Sequence, residues 1–132
     1  MGIRAKDFLD FARDLLSRGK GPEIFSRNAI SRSYYAVYSN AVALRKQAGL
    51  PEYADMSSHK GLQESLKSHP NREYKVLATR LKIAHEKRVL ADYCLDVLVL
   101  RDDAEQAFQL NEKIFADVDA LLDGLTSHAR TS

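Results

Sequence analysis

The fold is decided by the stretch from Leu77 to Leu98, LATRLKIAHEKRVLADYCLDVL. Seven of its positions recur with the 4-3-4-3-4-3 spacing of one helix face in a bundle: Leu77, Leu81, Ala84, Arg88, Ala91, Leu95 and Leu98. Six of the seven are apolar, and the exception is Arg88. A buried guanidinium group is strongly unfavourable unless it is paired or reaches water. Arg88 therefore predicts either a carboxylate or hydroxyl partner, or a polar cleft along this face.

The composition predicts a single helical domain. The chain has 132 residues, a length that suits one domain, and only three prolines and six glycines interrupt it. No apolar run approaches the roughly 18 residues of a membrane span, and residues 1–10 lack the apolar core of a signal peptide. Cys94 is the only cysteine, which excludes an internal disulfide and a cysteine-based zinc site. These features predict a cytoplasmic protein in a reducing compartment.

The net charge of +2 conceals an uneven distribution of charge. Residues 59–88 contain eight Lys/Arg against three Glu, a net charge of +5. Residues 102–132 contain two Lys/Arg against seven Asp/Glu, a net charge of −5. The basic segment suits a polyanionic partner. Alternatively, the two segments pack side by side and neutralise each other, and the sequence leaves both interpretations open.

Hydrophobic periodicity and helix-terminating residues predict five helices. Their expected bounds are 3–17, 22–48, 59–68, 73–100 and 102 onwards. Ser57 or Ser58 is expected to cap the start of the third helix, and Gly49 to end the second.

The second helix has two apolar stripes, so it is predicted to be central in the bundle. One stripe contains Arg32 between Ala29 and Ala36, which repeats the arrangement around Arg88. The other contains Tyr34, and Tyr35 is expected near Arg32. A buried tyrosine hydroxyl needs a partner, and a stripe arginine would supply one, either as a purely structural lock or as part of a site.

These elements predict an all-α fold, an antiparallel up-and-down bundle of four long helices plus one short helix. A single domain is expected over residues 1–126, followed by a frayed tail over residues 127–132.

Sequence motifs of the common cofactor and metal sites are missing. No phosphate-binding loop, dinucleotide fingerprint, zinc-protease helix or nucleophile elbow occurs in the sequence. The histidines at 59, 69, 85 and 128 lack metal-ligand spacing. Single histidines of this kind are most often surface or capping groups. We therefore predict no metal and no cofactor.

One face of the fourth helix combines residues that suit phosphate chemistry. His85, Arg88 and Asp92 share it at spacings i, i+3 and i+7, with Tyr93 beside them. The arginine could hold an anion bidentately, and a histidine can move protons near neutral pH. The simpler interpretation is a surface ion pair between Arg88 and Asp92.

Three segments resemble the HEPN domain family. Residues 27–38, RNAISRSYYAVY, resemble its second-helix signature. Residues 58–60, SHK, resemble the start of its next helix, and residues 88–93, RVLADY, its fourth-helix block. The segments occur in the family's order, and the resemblance extends over about residues 8–115.

The resemblance implies a helical bundle that often forms homodimers and binds RNA or nucleotides. Many HEPN proteins are metal-independent ribonucleases, and many are toxins or defence effectors beside a nucleotidyltransferase-like antitoxin. An antitoxin or nucleotidyltransferase-like protein is therefore an expected partner.

The ribonucleases of this family carry an arginine followed a few residues later by a histidine. Arg88 occupies the arginine position here, and Tyr93 stands where the histidine is expected; Arg80 and His85 match the bare pattern about one heptad earlier. Arginine would stabilise the phosphorane charge while histidine assists attack by an RNA 2′-hydroxyl. The expected catalytic residues are Arg88, His85 and Tyr93, and the expected RNA- or nucleotide-binding residues are Arg32, Tyr35, Arg80 and Asp92.

Two functions follow from these features. The first is a HEPN-type RNA-binding protein or metal-independent endoribonuclease, acting as a toxin or defence component. The second is a catalytically inactive HEPN interaction module, or a nucleotide-binding subunit, acting with a partner protein. Tyr93 motivates the second, because a tyrosine with a pKa of about 10 is a poor base at neutral pH. Val89, where the family commonly has a polar residue, also motivates it.

Overall fold

Five helices make up the described part of the chain. The structure is a computed structural model that describes residues 2–18 and 21–131, with side chains up to residue 126. The helices are α1 (Ala5–Ser17), α2 (Glu23–Gln47), α3 (Ser58–Lys67), α4 (Arg72–Tyr93) and α5 (Arg101–Thr131). They account for 78% of the described residues, among which there is no strand. The predicted all-α helical bundle is confirmed.

Local chemistry sets the ends of the helices around the first long loop. At the start of α3, Ser57 Oγ accepts a hydrogen bond from the Lys60 backbone N–H at 3.3 Å. After α2, Gly49 has a φ of 68°, in the left-handed region that favours glycine. The predicted N-cap at Ser57 and the predicted stop at Gly49 are confirmed.

The helix α2 lies at the centre of the bundle, as its two apolar stripes predict. It contacts all four other helices, most extensively α5 and α1. Its fully buried apolar side chains are Ala29, Ala36, Val37, Ala41 and Leu44.

Polar side chains link α2 to α5. Inside the core, Asn111 Nδ2 donates a hydrogen bond to Ser33 Oγ at 2.8 Å, and Ser33 Oγ donates to the Ala29 carbonyl at 2.7 Å. Nearer the surface, Asn40 Nδ2 donates to the Asp119 carboxylate at 2.9 Å. Because a buried polar group is unfavourable without a partner, these bonds constrain how the two helices pack.

The helix α4 is shorter than predicted. It ends at Tyr93 instead of about Leu100, and the predicted apolar face stops at Ala91. Leu95 and Leu98 lie outside the helix and are 77% and 66% exposed.

A buried arginine of α2 accounts for this early end. The Arg27 guanidinium is anchored by the Glu23 carboxylate at 2.6 Å and donates to the Ala91 carbonyl at 2.9 Å. It also donates to the carbonyls of Leu90, Cys94 and Val97. The carbonyls at the end of α4 thereby gain a charged donor in place of the next helical turn. Arg27 is only 7% exposed.

The remaining expectations about domain extent stay predictions. A single domain over residues 1–126 and a frayed tail over residues 127–132 were expected. The backbone of α5 is described to Thr131, whereas Ser132 and the side chains of the tail lie outside the described part of the chain. Across residues 2–18 and 21–131, no helix combines the length and apolar character needed to cross a bilayer.

Candidate functional site

Side chains from α2, α3 and α4 meet in an aromatic cluster that contains two histidines. The rings of His59 and His85 stack with centroids 4.3 Å apart and an interplanar angle of 23°. The Tyr34 hydroxyl lies 2.7 Å from His59 Nδ1, and the Tyr38 ring centroid lies 4.7 Å from that of His59. Tyr34 and Tyr38 reach the same histidine because residues four apart share a helix face.

Each histidine is placed by its own helix. His59 is the second residue of α3, whose first turn is fixed by the Ser57 cap. Ala84 of α4 is buried in the core. His85 is the next residue, so it lies at the edge of the surface through which α4 packs on its neighbours. The pair therefore depends on α3 packing against α4.

The environment of the cluster lowers the pKa of both histidines. Burial, followed by the nearby His85 and Arg88, lowers the pKa of His59 from 6.5 to about 4. Burial, followed by Arg88, also lowers the pKa of His85, while Glu86 acts in the opposite direction. Burial is the main cause of a raised pKa at Tyr34. At neutral pH the site therefore holds two neutral imidazoles and a protonated phenol. If Tyr34 donates to Nδ1, His59 carries its proton on Nε2.

We expect these histidines to make folding stability depend on pH. His59 has a lower pKa in the folded protein than its ordinary value of 6.5, so the unfolded chain binds more protons between pH 6.5 and about 4. The contribution of His59 is fully present above pH 6.5 and is lost as pH falls through this window. Urea unfolding across the window should show a steeper fall in the free energy of unfolding for the natural chain than for His59→Gln. Parallel curves would contradict the prediction.

Arg88 has a carboxylate partner and also reaches solvent. Its Nε lies 2.8 Å from Asp92 Oδ2, and the two side chains are 25% and 26% exposed. Ser31 Oγ donates to the same carboxylate oxygen at 3.1 Å. Within residues 2–18 and 21–126, the terminal nitrogens of Arg88 make no hydrogen bond. The guanidinium fork is therefore held at one edge and open at the other, which suits an incoming anion.

Tyr93 packs its ring against Arg88. Its ring centroid is 5.5 Å from the Arg88 guanidinium carbon, and it is 67% exposed. This geometry indicates a cation–π contact that orients Arg88.

Among the described residues, none of the contacts given for this cluster involves the three other predicted binding residues. Tyr35 is exposed and packs its ring against Phe8 of α1, with centroids 4.9 Å apart. Arg80 pairs with Asp117 of α5 at 2.9 Å. Arg32 is exposed.

Two expectations about α2 are wrong. The buried stripe passes through Ser33 and Asn40 instead of Arg32, because Ser33 satisfies its hydroxyl inside the core with the Ala29 carbonyl. The Tyr34 hydroxyl bonds to His59 and not to a stripe arginine.

No family model, curated protein or solved structure matches the chain. The resemblance to HEPN domains therefore stays a prediction.

Sequence reasoning missed His59 and Arg27 as residues with special roles. The buried Tyr34 hydroxyl was a usable signal for the first, because it required a partner. His59 and His85 lie far apart in sequence, so their contact depends on the packing of two helices.

In the part of the chain that the structure describes, no group of three or more His, Cys, Asp or Glu could hold a metal ion.

The cluster can combine anion binding with proton transfer. Arg88 offers an open guanidinium fork, and His85 and His59 offer neutral imidazoles that can accept a proton. An anion bound at Arg88 would raise the pKa of both histidines, since an opposite charge favours imidazolium. One ring could then act as a base and the other as an acid.

Proposed function

We propose that this chain is a HEPN-type RNA-binding protein that cleaves RNA without a metal ion, as a toxin or defence component in the cytoplasm. The observation that carries the proposal is the stacked His59–His85 pair beside Arg88. The sequence resemblance supports it independently, and with it the family's antiparallel up-and-down arrangement of helices.

In the proposed reaction, an RNA 2′-hydroxyl attacks the adjacent phosphorus. His85 accepts the hydroxyl proton as the new oxygen–phosphorus bond forms. Arg88 stabilises the negative charge that develops on the phosphorane oxygens. The bond from phosphorus to the 5′-oxygen breaks, and that oxygen takes a proton from His59, which the negative charge of the bound phosphate holds as imidazolium. The products are a 2′,3′-cyclic phosphate and a 5′-hydroxyl end.

Incubation of purified protein with RNA in EDTA tests this proposal. We expect cleavage with cyclic phosphate ends, and a fall of about 10²- to 10⁴-fold in His85→Ala, the typical contribution of general acid–base catalysis. Cleavage that requires added metal, or that His85→Ala leaves unchanged, would contradict the assigned roles.

Exposed apolar side chains favour a second function, an interaction module without catalysis. A run of them lies at the end of α4 and in the segment that follows: Leu90, Tyr93, Leu95, Leu98 and Leu100. Exposed apolar patches of this kind often mark protein contacts. We propose a second copy of the chain as the occupant, because the patch includes Tyr93, which contacts Arg88. A dimer there would cover the open side of the site.

The interaction module predicts no cleavage of any RNA by clean protein. Its partner would then be a second copy, an antitoxin or a nucleotidyltransferase-like protein, and sedimentation of the protein alone identifies the first case. A nucleotide-binding subunit would instead show thermal stabilisation, since a ligand at 100 times its Kd adds about 2.7 kcal/mol.

A further inference from the structure

A groove between α3 and α4 leads away from the histidine pair. It encloses about 370 Å³, and its lining includes Ser57, Lys60, Lys67, Thr79, Lys82 and His85. Binding sites for small molecules commonly begin at about 300 Å³, so the groove has room for one nucleotide. Because His85 lines it, the groove is continuous with the candidate site.

The lysines of this groove differ in whether their charge is already neutralised. Lys67 lies 3.9 Å from the Glu64 carboxylate. Lys60 of α3 and Lys82 of α4 have no ion pair in the described ranges 2–18 and 21–126. The groove also contains Glu86, which offsets only part of the positive charge of these two lysines.

A larger groove between α4 and α5 has less free positive charge. It encloses about 700 Å³, and its charged lining residues are Arg72, Glu73, Arg80, Lys113 and Asp117. Arg80 and Lys113 share one carboxylate, since Asp117 lies 2.9 Å from Arg80 and 3.2 Å from Lys113. Arg72 is the one cation of this lining without an ion pair in the described ranges, and Glu73 follows it directly. The groove between α3 and α4 is therefore the better site for an anion.

We propose that this groove binds the nucleotide next to the cleaved phosphate, with Lys60 and Lys82 neutralising its backbone. The inference rests on the proposed ribonuclease function and specifies its substrate as single-stranded RNA longer than a dinucleotide. The groove has room for one nucleotide between its two helices, so we expect a single strand to enter it and a duplex not to. Its lining lacks an aromatic side chain other than His85, so the contact depends on charge and tolerates many sequences.

Two substrates separate this groove from the catalytic site. We compare a dinucleotide, which occupies the catalytic site alone, with a single-stranded RNA of about ten nucleotides. For Lys60→Ala/Lys82→Ala, we expect kcat/KM for the longer RNA to fall about tenfold, the equivalent of 1.4 kcal/mol. The dinucleotide should be cleaved as by the natural chain. Lys6→Ala is the matched control, because α1 contacts α2 and α5 and not the groove.

A binding measurement keeps the groove testable if no RNA is cleaved. A 2′-O-methyl version of the longer RNA cannot react, and its affinity is measured at several salt concentrations. The logarithm of the association constant falls as the logarithm of the salt concentration rises. In the double variant this fall should be shallower by about 1.4 in slope, about 0.7 for each lost phosphate contact.

The outcomes distinguish the two proposals. Weaker binding by the double variant without any cleavage by the natural chain would overturn the ribonuclease and support the groove. If RNA is cleaved and the double variant keeps the affinity and the salt slope of the natural chain, the groove proposal fails and the ribonuclease proposal stands. Equal affinity for an RNA duplex would overturn the assignment to single strands.

Discussion

Arg88→Ala should lower kcat/KM for RNA cleavage by about 10²- to 10³-fold, the typical effect of removing a donor that stabilises transition-state charge. The guanidinium fork is open to an anion, and Asp92 holds it from one edge at 2.8 Å. The fold should survive, because Asp92 keeps its hydrogen bond from Ser31 and is 26% exposed. Initial rates in EDTA measure the effect, and circular dichroism measures retained structure.

Two further variants show whether the effect is specific to this guanidinium. Arg88→Lys keeps the charge and loses the planar fork, so we expect activity between that of the natural chain and that of Arg88→Ala. Arg13→Ala is the matched control, with activity close to that of the natural chain, because Arg13 is half exposed and lies in α1, which contacts neither α3 nor α4. Equal losses in Arg88→Ala and Arg13→Ala would show a general effect of charge, and the catalytic assignment would fail.

Arg27→Ala should destabilise the fold by about 1–3 kcal/mol, the range for buried polar groups left without a hydrogen-bond partner. Its side chain is 8% exposed and pairs with Glu23. The substitution also removes a donor from the Ala91 and Cys94 carbonyls. Urea unfolding measures the loss.

A surface pair with the same spacing provides the control for Arg27. Arg18 pairs with Asp14 four residues before it, at 2.9 Å, and both side chains are more than half exposed. We expect Arg18→Ala to cost less than about 1 kcal/mol. If Arg27→Ala is too unstable to purify, hydrogen exchange of Arg27→Lys should show faster opening of residues 90–100. Equal stability of Arg27→Ala and Arg18→Ala would contradict the structural role.

The start of α3 and the end of α2 were predictable because the signals are local. A serine at the N-cap and a glycine just after a helix act through their own backbone neighbours. The end of α4 was not predictable, since residues 94–100 contain neither glycine nor proline. It depends on Arg27, which lies more than 60 residues earlier.

The candidate site was predictable within α4 and not between helices. His85, Arg88 and Asp92 follow from helical periodicity, and the Arg88–Asp92 pair is present. The contact of His59 with His85 depends on how α3 is seated on α4. The sequence also does not show which arginine of α2 is buried. Arg27 and Arg32 have similar local sequences, since each precedes a small or polar residue on a helix that contains alanines. Only the neighbouring helix determines which one points inward.

Asn111 and Ser33 determine the alignment of α5 along α2. Their hydrogen bond is 2.8 Å long, and the two residues are 1% and 0% exposed. Sliding α5 by one helical turn, about 5.4 Å, would leave the Asn111 amide without this bond, at a cost of about 1–3 kcal/mol. Contacts between apolar side chains are not directional and tolerate such a shift better. The hydrogen bond between Asn111 and Ser33 therefore selects one register of α5 on α2 among several with similar apolar burial.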